Sequence, residues 1–192
     1  MPVGLTPLTV NRTELGKLLL LSSAIGTKSH KNGECFTLNM DNSTRLAQRI
    51  KEFQHLIGVP KYNSVIAALI TEVFALPIEE ISVDYQSPNP SRHRTTQEAT
   101  TGKESYRIFI RATGEPGHDR MLLFDILHEL GHFHDPVRLP IGQPIDSILQ
   151  RDRELQAWQW ADEKFNQYPE LEADWALYKA HQRRCLGTYG IG

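Results

Sequence analysis

At 192 residues the chain is long enough for one domain with a substantial core and barely long enough for two. An apolar share of 40% and a charged share of 23% are those of a globular protein and argue against a disordered one. A net charge of −2 leaves no electrostatic footprint for nucleic acid or an anionic membrane, and Arg183-Arg184 is too small a patch to make one, so neither is expected as a partner.

Taken in chain order, residues 11–25 and 43–57 read as helices. The second has Ser43 as N-cap and one apolar stripe of Leu46, Ile50, Phe53, Leu56 and Ile57, stopped by Gly58 and Pro60. The Leu18–Leu21 run is short, follows Glu14 and lacks a basic leader, so a signal peptide is not expected. No stretch approaches the roughly 20 apolar residues of a membrane span. Cys35 and Cys185 lie far apart and outside any CxxC pattern, which points to reduced thiols and a cytoplasmic protein.

A third helix is predicted over 64–75, ended by Pro77. The period then changes: 81–85 and 105–111 alternate like strands and read as a hairpin-like pair. Between them, 86–104 is polar, rich in Pro, Ser and Thr and without apolar periodicity, the pattern of a disordered insertion or a functional flap. Gly114 to Gly117 form a turn. An apolar helix follows and is stopped by Pro136; a loop holding Pro140, Gly142 and Pro144 leads to a long helix over 146–168, and Pro169 opens a last helix running to Gly187. The expected class is α+β, mainly helical, with a small antiparallel sheet packed on the central helix. A single domain over 1–192 is expected, with a helical part over 1–76 and a second part over 77–192 that carries the chemistry read next.

One stretch names a chemistry. In Leu127-His128-Glu129-Leu130-Gly131-His132, the two histidines are four apart, so on a helix they stand one turn above the other and can grip one metal ion. Glu129 lies beside them, where a carboxylate can take a proton from water on that metal. The preceding Met121–Leu127 is apolar almost all round, which buries the helix and makes unpartnered histidines costly.

A catalytic zinc site typically takes three protein ligands. The extended HExxHxxGxxH arrangement is excluded by Asp135 and Arg138, and His134 points to another side of the helix. Glu154, Glu170 and His181 remain. Glu170 follows Pro169 and, with Glu172, is what a first helical turn wants. Glu154 lies inside its helix among Leu155, Trp158, Ala161 and Phe165, and is favoured on that ground; both glutamates have a small Ala three residues on, where a bulkier side chain could crowd the metal.

His128-Glu129-Leu130-Gly131-His132 followed by Glu154-x-x-Ala157-x-x-Trp160-Ala161 and then Pro169 resembles the ImmA/IrrE family of small metallopeptidases. Trp160 stands where that family usually has Phe, and Trp158 where it usually has Asn or Asp. The resemblance covers roughly residues 77–169; residues 1–60 carry no convincing helix-turn-helix of the sort often fused to the family. It implies a zincin-like fold and zinc held by His128, His132 and Glu154. Glu129 would be the general base in hydrolysis of a specific protein partner, often a transcriptional regulator. Asp125 or Asp162 could orient a ligand in place of the polar residue missing at 158. Tyr168, Tyr178, His181 and Tyr189 are candidate donors to the oxyanion. An extended peptide substrate could add to the edge of the 81–85 and 105–111 sheet. The rival readings are a metal-binding sensor that cleaves nothing, expected to lack Glu129, and a non-metallic interaction module.

Overall fold

Among the described residues, the apolar stripes of the sequence become the inner faces of five helices, accompanied by one three-stranded mixed sheet. The computed structural model describes residues 41–85, 90–98, 100–112, 120–135 and 147–191, and the expected helix over 11–25, Cys35, the 114–117 turn and the 140–144 loop lie outside them. Residues 43–192 cluster as one unit. Helix α1, Asn42–Ile57, buries Phe53 and Ile57 and lays Leu46, Ile50 and Leu56 against the core. Ser43 falls inside this helix instead of capping it. Gly58, at φ 65°, supplies the left-handed residue that ends it. A 3₁₀ turn at Pro60–Tyr62 leads into α2, Asn63–Ala75, which buries Val65, Ile66, Leu69, Ile70 and Val73.

Strands β1 (Ile78–Asp84), β2 (Arg92–Gln97) and β3 (Glu104–Arg111) form a sheet of order β1-β3-β2. The antiparallel pair is β2–β3, joined through a turn with Gly102 at φ 68°. The two strands read from the sequence, β1 and β3, run parallel and are not a hairpin. The chain from 86 to 104, expected to be structureless, contains β2. Its polar residues hid it: none of the six is buried, and an edge strand needs no apolar alternation when backbone hydrogen bonds on one side hold it.

Helix α3, Met121–His134, carries the HELGH segment with Leu122, Leu123, Phe124, Ile126, Leu127 and Leu130 buried around it. Helix α4, Ile148–Phe165, is N-capped by Ser147, whose Oγ accepts from the Gln150 amide at 3.1 Å. Pro169 opens a 3₁₀ segment, Pro169–Asp174, before α5, Trp175–Gly187, so the last helix starts later than the proline implied. The result is a mixed α+β fold, mostly helical. β3 faces α3 through Ile108 and Ile110, and the Tyr106 ring meets Phe133 edge-on at 5.0 Å. No helix of the described residues is long and apolar enough to cross a membrane.

Candidate metal centre

The site is built where α3 and α4 come closest. Gly131 sits against the backbone of α4: a Cβ at this position would stand 2.3 Å from the carbonyl oxygen of Ala157 and 2.9 Å from its Cα. Only a hydrogen fits there. The atoms in the way belong to the backbone of Ala157, so it is the glycine at 131 that lets the two helices approach. Residues 131 and 154 are each one turn from that crossing partner or from a histidine on the same face, so the contact carries Glu154 to the two rings.

Glu154 Oε2 lies 3.2 Å from His128 Nε2 and 3.4 Å from His132 Nε2, and the two Nε2 atoms are 3.1 Å apart. Three donor atoms around one tetrahedral zinc, at about 2.0–2.1 Å from it, would be about 3.3–3.5 Å from each other. The triangle has the right size. Glu154 is 2% exposed, and its Oε2 is buried and directed at the two histidine nitrogens. The other oxygen, Oε1, accepts from Gln150 Nε2 at 2.8 Å. One carboxylate oxygen is thus satisfied and the other is aimed at the histidine pair, which is the donor set zinc takes.

Electrostatics agree. Burial raises the Glu154 pKa, but the hydrogen bonds and charges of both histidines outweigh it and hold the carboxyl far below its usual range. Burial also opposes charge on both rings. Glu154 and the neighbouring carboxylates overcome it at His128, whose pKa is raised, whereas burial and the charge of His128 leave His132 lowered. The pair can carry one proton between them, and a divalent cation would replace it.

Glu129 is 2% exposed, and its Oε2 is 3.1 Å from Nδ1 of His93. Burial works against its ionised form, yet the hydrogen bond from His93 and the charges of His128 and His132 lower its pKa. His93 stands on β2 opposite Ile108, stacked on the diagonal Tyr106 at 5.2 Å and tilted against His132 at 4.6 Å. The Tyr106 hydroxyl in turn donates to the Glu129 carbonyl at 3.4 Å. His93 was absent from the candidates because it lies in the polar stretch read as a flap. The signal available was Thr95-Thr96, a β-branched pair within three residues of a histidine.

The other candidates are elsewhere. Glu170 is exposed and accepts from Ser64 Oγ at 3.0 Å. His134 stacks on Trp160 at 4.7 Å and lies 3.6 Å from Glu72. His181 Nε2 is 2.7 Å from Asp125 Oδ1, and Ser91 Oγ donates to the other oxygen of that carboxylate. Asp162 accepts from Lys179 and Gln182 on α5. Neither aspartate touches a ligand ring, and Nδ1 of His128 and of His132 is buried without a partner among the described residues. What holds the His128 ring is Trp158, stacked on it at 4.3 Å and 23°. At the position where the sequence lacks a polar residue, a flat apolar surface orients the imidazole.

Of the four candidate donors, Tyr189 is the one whose phenol responds to Glu154. Burial, the charge of Glu154 and a hydrogen bond to it push the phenol well above its usual pKa. Tyr178 is packed among Phe124, Phe165 and Trp158, and Tyr168 is near Lys164 and Glu72. No family model, curated protein or solved structure matches the chain.

Proposed function

We propose that the chain is a zinc-dependent metallopeptidase of the ImmA/IrrE kind, with a zincin-like catalytic part, acting on a peptide bond of a protein partner. The observation that carries the reading is the triangle of His128 Nε2, His132 Nε2 and Glu154 Oε2, with Glu129 at its side and Oε2 otherwise unpartnered among the described residues. Those three residues would hold the ion. Bound there, zinc supplies Lewis acidity toward a carbonyl and makes water acidic near neutral pH.

The remaining steps belong to the chain's own groups. Glu129, ionised and lowered in pKa, accepts a proton from the attacking water and returns it to the departing amine. His93 donates to Glu129 Oε2 and restrains that carboxylate from the strand side. Tyr189, protonated throughout the neutral range, is the donor for the negative oxygen that develops on the carbonyl carbon. Among the described residues β2 is an edge strand that carries His93, so an extended peptide adding to its outer side would run alongside the site.

A metal-binding module without turnover is the second reading, favoured by the same His93 contact, because it engages the carboxylate that must be free to accept a proton. Glu129→Gln separates the two. The zinc-loaded wild type, incubated with a proteome-derived peptide mixture, should generate new termini detectable by mass spectrometry. Glu129→Gln should generate none while binding zinc equally. Identical cleavage patterns from both proteins would remove Glu129 from the mechanism, and no cleavage by either would favour the silent module.

A further inference from the structure

Two overlapping sets of donors meet at His132. The first is the triangle with His128 and Glu154; the second is His93, Glu129 and His132, whose donor atoms all lie within 4.8 Å of one another. We infer that His93 and Glu129, with His132 beside them, form a second and weaker seat for a divalent metal ion, and that zinc taken there occupies the general base. The inference rests on the zinc reading of the first triangle and concerns regulation of that same site.

The chemistry of the donors is that of a zinc ligand set: an imidazole nitrogen and a carboxylate oxygen at 3.1 Å, the same spacing as the closest pair in the first triangle. The seat is held rigidly. The His93 ring is stacked on Tyr106 within 6° of parallel, and Tyr106 is tied to the Glu129 backbone. It is also reachable: the Glu129 side chain is 3% exposed, but that of His93 is 21% exposed, so an ion can arrive from the strand side. At His132, Nε2 belongs to the first triangle, and Nδ1 is buried with no partner among the described residues.

Two divalent cations sharing so small a space repel, so the second must bind less tightly than the first. Its arrival replaces the hydrogen bond between His93 and Glu129, and a carboxylate engaged by a cation no longer accepts a proton. Zinc above one equivalent would then silence the site that one equivalent arms.

The test is a calorimetric titration of the metal-free full chain with zinc chloride in a non-coordinating buffer, beside His93→Ala and His93→Phe. The second variant keeps a flat ring against Tyr106 and lacks nitrogen donors, so it stands in should His93→Ala fail to fold. The wild type should take two equivalents, the second at least about 10-fold weaker, and each variant one, with the tight affinity changed by less than about threefold. One equivalent in every protein would overturn the second seat and leave the first intact. A second equivalent that survives in the variants lies elsewhere and overturns it equally. Loss of both equivalents in His93→Phe would make His93 part of a single site, and no uptake by the wild type would refute both seats.

Discussion

Arg153 Nε donates to Asp135 Oδ2 at 2.8 Å, with the guanidinium and the carboxylate both buried. The pair joins the residue just beyond α3 to the residue just before Glu154 on α4. It fixes the rotation of one helix against the end of the other, and with it the direction in which Glu154 leaves α4. Removing one member of a buried pair typically costs about 3–5 kcal/mol, because the remaining charge loses its partner in a medium that solvates it poorly. Asp135→Ala should therefore lower stability by about that amount in chemical denaturation and weaken zinc binding as well. Asp135→Asn, which retains an acceptor, should recover part of both. A loss under 1 kcal/mol would show that α4 is oriented by other contacts.

The third ligand separates two glutamates. Glu154→Ala removes a buried carboxylate oxygen directed at the two histidines, and zinc affinity should fall by more than the roughly 10–100-fold that loss of an outer hydrogen-bond partner costs. Glu170→Ala removes an exposed acid in the 3₁₀ segment after Pro169 and its contact with Ser64. The expected cost is about 0.3–1 kcal/mol of stability, with zinc retained. Competition against a chromophoric chelator measures both affinities; equal losses in the two variants would withdraw Glu154 from the ligand set.

His181 gives a pH dependence of known sign. Burial disfavours its charged form, but Asp125 at 2.7 Å, with Cys185 beyond it, outweighs burial and raises the pKa to about 9. With an unfolded value near 6.5, this stabilisation is fully present below about pH 6.5 and is lost as pH rises through about 9. Its size is on the order of 1–3 kcal/mol, because protonation also displaces Arg184, which donates to Nδ1 at 3.0 Å. Thermal melts of metal-free wild type and His181→Gln should differ most near pH 6 and converge near pH 10. A constant difference across that range would mean that the Asp125 contact is independent of ring charge.

Much of the architecture is legible from local pattern. The boundaries of α1 and α2, the apolar stripe from Leu46 to Ile57 and the burial of the motif helix follow from period and stop signals alone. Glu154 is legible for a related reason: an acid among core-facing residues demands a partner. What escaped is non-local or made by the backbone. Strand β2 is set by pairing with β3, so its own side chains need carry no signature, and His93 went with it. The parallel direction of β1 relative to β3 likewise depends on a connection whose path no residue pattern encodes. Trp158, read as a departure in need of a substitute polar group, does its work by stacking, for which no hydrogen-bonding motif exists.

The close approach at Gly131 has a genetic consequence. The atoms that exclude a side chain there are the carbonyl oxygen, carbonyl carbon and Cα of Ala157, which every amino acid possesses. Gly131→Ala should therefore separate α3 from α4 and open the histidine–glutamate triangle, and no replacement at 157, glycine included, can make room. In a selection for second-site revertants of Gly131→Ala, position 157 should stay silent. Restored function should come from reversion of codon 131 itself or from substitutions that let α4 slide as a body.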